Sequence, residues 1–356
     1  MRTLSLLACL AFATACVEAD TKDEAPALGG VVITWTAGGH IWRSAADGSP
    51  AEDVSEALGL AGEDRWAAPS PDGAYLAFSG TRFGCAGECL VRVSADLTEG
   101  EAVLPGGLEV SLRGMPAISA DGRSVVYADA GGPHTVDLWR TDRGEEGWSA
   151  PVLLTADSSY AFNNMPALSA DSQRLTYDCG ANPYPEDGEN DACVVNLDGT
   201  GWARLVGPDA LPEARYPFVQ NPHEGPSGLF FEGSGTVNGD APETIWTLPT
   251  GSTTPVQFSA RYANAVAPCP LADGRVAMLW LGGNDAGVHE LIVAAADGQS
   301  ELVLTPGIDV ADIGVGCAAA PAAEATDDTG AADTGAEDTG TEDTGAEDTG
   351  AEDTGA

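Results

Sequence analysis

The sequence predicts an all-β protein folded as a six-bladed β-propeller, with four short antiparallel strands in each blade. Three observations carry this prediction: a short phrase recurs about every fifty residues, an apolar strand follows each copy, and the two chain ends can complete one blade. The 45 glycines and 23 prolines suit many short strands joined by tight turns. Seven blades is the alternative count.

The recurring phrase has the form Pro-x-x-Ser-x-Asp-Gly. From Ser70 to Ser119 is 49 residues, and from Ser119 to Ser169 is 50. Copies begin near Ala67, Pro116, Pro166 and Pro268, and a degenerate copy is placed at Pro217. A repeat of this length indicates an array of identical supersecondary units, and the short strands within it indicate propeller blades.

The Asp-Gly pairs of the phrase are predicted to form hairpin turns. Glycine accepts the positive φ that such turns demand, and aspartate bonds the backbone N–H groups of the turn. Because they recur before each strand, these aspartates are interpreted as structural and not as catalytic acids. The turn residues are Asp72, Gly73, Asp121, Gly122, Asp171, Asp273 and Gly274.

Two series of apolar strands support the count of blades. The first follows the turns, at residues 75–78, 124–127, 174–177, 229–231 and 276–280. The second has six members, at residues 40–43, 90–93, 137–140, 193–196, 244–247 and 290–293. Further apolar segments, such as 152–154 and 301–304, supply the fourth strand of a blade.

The chain ends are predicted to close the ring. Residues 31–35 match the strand that follows a turn but have no phrase before them, and residues 308–313 hold the position of a phrase with no strand after it. Pairing of these segments in the first blade would remove an exposed sheet edge.

The phrase followed by an apolar strand resembles the TolB-like, WD-repeat-like β-propeller family of bacterial envelope proteins. The resemblance covers about residues 30–317. It implies the propeller fold and an envelope location, but it leaves the ligand open, because a fold does not determine an activity. The same propeller also accompanies serine peptidases of the prolyl oligopeptidase type, whose hydrolase domain has no counterpart after Cys317, where only a tail is expected.

The N-terminus is predicted to be an export signal over residues 1–15, with a positive start, an apolar run and small residues before Cys16. Ala13-Thr14-Ala15-Cys16 resembles the lipobox of bacterial lipoproteins, which implies a lipid on Cys16 and a polar tether over residues 16–29. The expected location is the outer membrane, facing the periplasm or the cell surface. The alternative is cleavage without a lipid, which would give a soluble periplasmic or secreted protein.

Six cysteines follow Cys16, and an even number in an exported protein indicates disulfide bonds. Their positions suggest the pairs Cys85–Cys89, Cys179–Cys193 and Cys269–Cys317. A zinc site is the rival interpretation, although four converging thiolates are not evident in the sequence. Residues 318–356 carry Asp-Thr-Gly six times and contain no large apolar side chain, so a disordered acidic tail is expected.

The charge balance excludes several partners. The chain has 55 acidic and 15 basic residues, for a net charge of -40. Nucleic acids and anionic lipid surfaces need clustered cations, so contact with a membrane is expected only through the lipid on Cys16.

The sequence contains no recognisable catalytic constellation. Its four histidines are scattered without metal-ligand spacing. Asp187, Glu189 and Asp191 alternate as oxygen ligands for calcium do, and a solvated loop is the alternative. We therefore expect a monomeric, non-catalytic binding protein for an envelope protein, peptide or glycan, with no cofactor except calcium. The alternative is a hydrolase or lyase that acts on glycan-like substrates in the central channel with a bound metal.

Overall fold

The computed structural model describes residues 31–59, 63–85, 87–104, 115–181, 190–211, 218–234, 243–281, 288–306, 310 and 315–319. These residues form six antiparallel sheets, five of four strands and one of five, each equivalent to one blade. The predicted six-bladed propeller is therefore confirmed. The predicted signal peptide, Cys16, the tether and the tail from residue 320 lie outside the described residues.

The chain builds the blades in order from the axis outward. Blade 1 holds β1 (Val31–Ala37), β2 (His40–Ala45) and β3 (Glu52–Asp53), followed by the short helix α1 (Val54–Ala57). Blade 2 holds β4 (Arg65–Pro69), β5 (Tyr75–Gly80), β6 (Cys89–Ser94) and β7 (Gly100–Ala102). Blade 3 holds β8 (Ala117–Ile118), β9 (Ser124–Asp129), β10 (Asp137–Gly144), β11 (Gly147–Trp148) and β12 (Val152–Leu153). Blade 4 holds β13 (Phe162–Leu168), β14 (Arg174–Gly180), β15 (Asn190–Asn196) and β16 (Ala203–Val206).

Blades 5 and 6 follow a short 3₁₀ helix at Pro208–Ala210. Their strands are β17 (Val219–Gly225), β18 (Gly228–Ser234), β19 (Glu243–Pro249), β20 (Val256–Gln257), β21 (Ala265–Pro270), β22 (Val276–Trp280), β23 (Glu290–Ala294) and β24 (Glu301–Val303), and the chain then returns to blade 1 as β25 (Gly316–Ala319). No helix in the described part of the chain is long and apolar enough to cross a membrane.

The hydrophobic core lies between neighbouring blades. One cluster, for example, joins Ile41 and Val54 of blade 1 to Leu76, Phe78 and Val91 of blade 2. Because each blade packs against another on both faces, its middle strands are apolar on both sides, which explains continuous apolar runs such as those of β5 and β6. The packing between blades therefore holds the inner strands at fixed positions around the axis.

The turns of the repeated phrase are held by a serine–aspartate network. In blade 2, Ser70 Oγ donates to Asp72 Oδ1 (2.6 Å), which also accepts the Ala74 N–H (3.0 Å). Ser70 Oγ in turn accepts the Tyr75 N–H (3.0 Å). The same bonds recur at Ser119–Asp121 and Ser169–Asp171. In blade 6 the serine is replaced, and Asp273 accepts the Arg275 N–H and its Nε.

The ring closes through β25, which pairs with β1 so that Cys317 lies opposite Ile33. This strand lies after the predicted closing segment 308–313, of which only Val310 is described, as a buried member of the hydrophobic cluster of blades 1 and 6. A Cβ on Gly316 would come within 2.5 Å of Pro69 Cδ and Thr34 Oγ1, so this crossing between blades has room only for glycine. The closing strand also ends at Ala319, two residues beyond the predicted boundary at 317.

The fifth copy of the phrase also differs from the prediction. Pro217 lies outside the described residues, and the inner strand of blade 5 is β17, in which Pro222 follows a bulge at Asn221. Pro166 likewise follows a bulge in β13. Because β17 lacks the Ser-x-Asp-Gly turn and Pro222 lies 56 residues after Pro166, a regular spacing placed this copy five residues too early.

Three disulfide bonds join Cys85 to Cys89, Cys179 to Cys193 and Cys269 to Cys317, with Cα–Cα distances of 6.2, 5.9 and 6.0 Å. These are the pairs that the sequence positions suggested. The third links the inner strand of blade 6 to β25, so it fastens the closing strand to its neighbour.

Candidate functional site

The inner strands of the six blades surround a cavity on the propeller axis. β25, β4, β8, β13, β17 and β21 contact one another in that order around the ring, and each contributes to the cavity wall. The cavity has a volume of about 400 Å³. It opens on the face that carries the turns of the phrase, because Pro71, Ala170 and Ala272 of those turns also line it.

The wall of this axial cavity is small, apolar and rigid. Ala68, Ala117 and Ala167 lie at corresponding positions of β4, β8 and β13, where short side chains leave the axis open. Prolines 69, 116, 166, 226 and 270 also line the wall, and their fixed φ angles stiffen it. The phrase of the repeat therefore builds the wall as well as the turns.

Two polar side chains, His223 and Glu224, face this apolar wall. Glu224 accepts a hydrogen bond from Arg174 Nε (3.0 Å), so its charge is balanced by a neighbouring blade. Burial lowers the pKa of His223 to about 4, which keeps the imidazole neutral at pH 7. Sequence reasoning had placed His223 among the scattered histidines, and only a correct alignment on Pro222 would have indicated its position on the wall.

A second polar group lies between blades 4, 5 and 6. Asn221 donates its backbone N–H to Asp178 Oδ1 (2.7 Å) and its Nδ2 to Glu232 Oε2 (3.0 Å), which also accepts the Ala267 N–H (3.2 Å). Burial raises the pKa of Asp178 well above its usual range and that of Glu232 to about 7. These carboxylates satisfy the N–H groups at the strand bulges and so have a structural role.

Of the predicted calcium ligands, the structure describes Asp191, so the calcium site stays a prediction. Asp187 and Glu189 lie outside the described residues. Asp191 accepts hydrogen bonds from Arg204 Nε (2.8 Å) and Nη2 (3.0 Å) and from the Tyr160 hydroxyl, so its carboxylate is already paired. With the disulfides formed, the described part of the chain contains no group of three His, Cys, Asp or Glu residues arranged to hold a metal.

Blade 3 contains a His–Asp–Thr arrangement that superficially resembles a catalytic triad. His134 Nδ1 lies 2.7 Å from Asp137 Oδ1, and Thr155 Oγ1 donates to the same oxygen (2.7 Å). Thr155 also accepts the Leu138 N–H (3.1 Å). In a triad the hydroxyl must bond the histidine, whereas here it bonds the aspartate. The arrangement therefore joins the start of β10 to Thr155, which follows β12, and this hydroxyl is not bonded to the imidazole as a nucleophile would be.

Comparison with solved structures identifies the fold. TolB from Acinetobacter baumannii matches with a TM-score of 0.57 and 12% identity, over 82% of this chain and 66% of that one. The fold is a TolB-like β-propeller. A putative TolB from Agrobacterium tumefaciens matches with a TM-score of 0.53 and 14% identity, over 82% of this chain and 97% of that one.

The same propeller occurs in proteins with other roles. Hydrazine synthase from Kuenenia stuttgartiensis matches with a TM-score of 0.54 and 11% identity, over 83% of this chain and 47% of that one. No protein-family model matches the sequence, and a sequence comparison with curated proteins found no match. At these identities the similarity shows the TolB-like fold, while activity must be argued from the axial cavity.

Proposed function

We propose that this protein is a non-catalytic binding module of the bacterial envelope, whose axial cavity holds an apolar segment of a partner protein or peptide. The observation that carries the proposal is the cavity wall of alanine, proline and leucine, contributed by all six blades and open at one face. A volume of about 400 Å³ lies within the usual range for ligand pockets.

The wall is suited to binding with little loss of entropy. Its residues lie on paired strands or in hydrogen-bonded turns, so the cavity exists before a ligand enters. Neutral His223 can donate or accept one hydrogen bond, and Glu224 offers a second polar contact near the opening. These two side chains would orient a ligand whose remaining surface is apolar.

The non-catalytic part of the proposal rests on the chemistry of the same wall. His223 and Glu224 are the lining groups that could transfer a proton, and Glu224 is paired with Arg174. Hydrolases and lyases that act in a channel need an acid, a base or a metal beside the scissile bond.

Three disulfide bonds support an oxidising compartment, and the lipid on Cys16 remains a prediction from the lipobox resemblance. The intact mass of the protein from its native host tests the anchor. A diacylglyceryl or triacylglyceryl group on Cys16 would support an outer-membrane lipoprotein, whereas an unmodified N-terminus in the soluble fraction would contradict it.

Site-specific photo-crosslinking tests the binding site. A crosslinking amino acid at Ala170, which is exposed at the cavity opening, should give one discrete adduct in the native host. The same group at Val256, on the outer strand of blade 5, should give none.

A matched pair of substitutions completes the test. Leu168→Arg places a charge in the cavity and should abolish the Ala170 adduct, whereas Leu302→Arg, on the outer strand of blade 6, should leave it unchanged. Thermal unfolding establishes whether both variants are folded. If Leu168→Arg does not fold, Ala170→Arg takes its place, and the crosslinking amino acid is then placed at Ala272. Equal crosslinking from Ala170 and Val256 would refute an axial site.

A further inference from the structure

Three side chains with metal-binding atoms meet on one side of the axial cavity. His223, Cys269 and Cys317 lie on the successive inner strands β17, β21 and β25, and all three line the cavity. His223 Nδ1 is 3.9 Å from Cys269 Sγ, and Cys269 is bonded to Cys317.

His223 replaces a small residue of the repeat. It pairs with Phe230 of the adjacent strand as Ala68 pairs with Ala77 and Ala167 with Thr176. In the described part of the chain, the polar contact of its imidazole is with the sulfur of Cys269. Alanine at this position is sufficient to form the strand in other blades, so the fold itself does not require an imidazole here.

We propose that reduction of the Cys269–Cys317 disulfide creates a site for a thiophilic divalent metal such as Zn²⁺, with His223 as the third ligand. Two thiols of a dithiol reductant transfer two electrons and two protons to the disulfide, which yields two cysteine thiols and the oxidised reductant. Binding of Zn²⁺ then releases two protons and forms two Zn–thiolate bonds and one Zn–imidazole bond.

The geometry fits this ligand set. Zinc lies about 2.3 Å from thiolate sulfur and about 2.0 Å from imidazole nitrogen in a tetrahedral site, so neighbouring ligand atoms are about 3.6 Å apart. The observed 3.9 Å between His223 Nδ1 and Cys269 Sγ is close to that separation. The two sulfurs must move apart once their bond is broken, and β25 is a strand of only four residues.

The electrostatics of the wall also favour the site. Two thiolates neutralise one Zn²⁺, so the complex adds no net charge to the apolar wall. Three protein ligands leave a fourth position open to the cavity, as in zinc sites that bind water or a substrate.

The test uses the full chain with its six other cysteines changed to serine, so that Cys269 and Cys317 supply the only thiols. The protein is reduced with a phosphine, freed of the reductant without oxygen, and titrated with Co²⁺ and then with competing Zn²⁺. We expect one Co²⁺ per chain, with a thiolate charge-transfer band and tetrahedral d–d bands, in the reduced form and no binding in the oxidised form.

His223→Ala should weaken Zn²⁺ binding at least tenfold and change the d–d bands, whereas His40→Ala, on β2 of blade 1, should change neither. Circular dichroism establishes whether the reduced chain is folded. If it is not, Zn²⁺ should refold it, and His223→Ala should prevent this. Equal binding by the oxidised and reduced forms, equal affinity of His223→Ala, or a reduced chain that Zn²⁺ neither binds nor refolds would overturn the proposal.

Discussion

At the scale of single residues, the buried carboxylates between blades 4, 5 and 6 show how the propeller satisfies its strand bulges. Asn221 and Ala267 have positive φ angles and lie at the register shifts of β17 and β21. Asp178 and Glu232, from the preceding blades, accept these N–H groups. An unsatisfied buried N–H would be unfavourable, so each bulge is coupled to an acceptor in the neighbouring blade.

The contribution of Glu232 to the stability of the protein should fall as pH rises from about 4.5 to 8. Burial raises the pKa of Glu232 to about 7 from an ordinary value of 4.5, so the folded chain retains a proton that the unfolded chain has released. This difference corresponds to about 3 kcal/mol of unfolding free energy. Glu232→Gln should remove this pH dependence. Between pH 4 and pH 8, the free energy of unfolding of the variant should therefore rise relative to that of the parent protein, as measured by guanidinium unfolding.

A control of opposite sign is Glu301→Gln. The Arg261 guanidinium lowers the pKa of Glu301, so this carboxylate stabilises the folded chain above its ordinary pKa, and the contribution is lost as pH falls through the folded value. The substitution should therefore lower the free energy of unfolding at pH 8 and have little effect on it at pH 3. A stability difference for Glu232→Gln that does not change with pH would contradict a buried, proton-retaining carboxyl group.

At the scale of elements, the repeated turn connects adjacent blades as well as adjacent strands. Gly122, in the turn of blade 3, has a φ of 65° and packs against the ring of Tyr75 in blade 2. Arg92 lies over the same ring at 4.2 Å and donates its Nε to the Gly122 carbonyl (2.8 Å). The glycine is therefore required both by its backbone angle and by the close approach of the ring.

Gly122→Ala should lower the free energy of unfolding by about 2–3 kcal/mol. About 1 kcal/mol arises from the left-handed backbone, and the rest from overpacking, because the added Cβ would lie 2.5 Å from Tyr75 Cδ2. Gly251→Ala is the matched control, since Gly251 has a φ of 78° and no atom within 4 Å of the added Cβ. It should lose only about 1 kcal/mol in the same denaturant titration, and equal losses would exclude the packing contribution.

At the scale of the whole molecule, stability depends on closing the ring between the first and last blades. β25 is only four residues long, and it carries one end of the Cys269–Cys317 bond. Without this closure, β1 would present an unpaired edge to the axial cavity. The disulfide bonds therefore differ in the length of chain that each one constrains.

Each disulfide bond can be removed by changing both of its cysteines to serine. The three double variants should lose stability in the order of the sequence separations of their bonds. Separations of 48, 14 and 4 residues correspond to about 4, 3 and 2 kcal/mol in the chain-entropy model. Guanidinium unfolding of the three double variants measures the order. A dominant role for ring closure would be contradicted if the Cys85→Ser/Cys89→Ser variant had a lower free energy of unfolding than the Cys269→Ser/Cys317→Ser variant.

The sequence determined the elements that depend on neighbouring residues. Pairs such as Asp121-Gly122 specify their turns through side-chain bonds to nearby N–H groups and a positive φ, and an apolar strand follows each of these turns. The regular spacing of these local signals was sufficient for the number of blades. The pairing of Cys269 with Cys317 also followed from position within the repeat, because equivalent positions of adjacent blades are neighbours in a propeller. The other two pairs followed from their closeness in sequence, since each flanks one loop.

Only the tertiary structure decided where the ring closes and which side chains line its axis. The closing strand Gly316–Ala319 is selected by pairing with β1, far away in sequence, and by a crossing where only glycine fits. His223 reaches the cavity because a bulge at Asn221 sets the register of β17. Long-range pairing and bulges leave little trace in sequence spacing, so the axial cavity could not be predicted from the repeat alone.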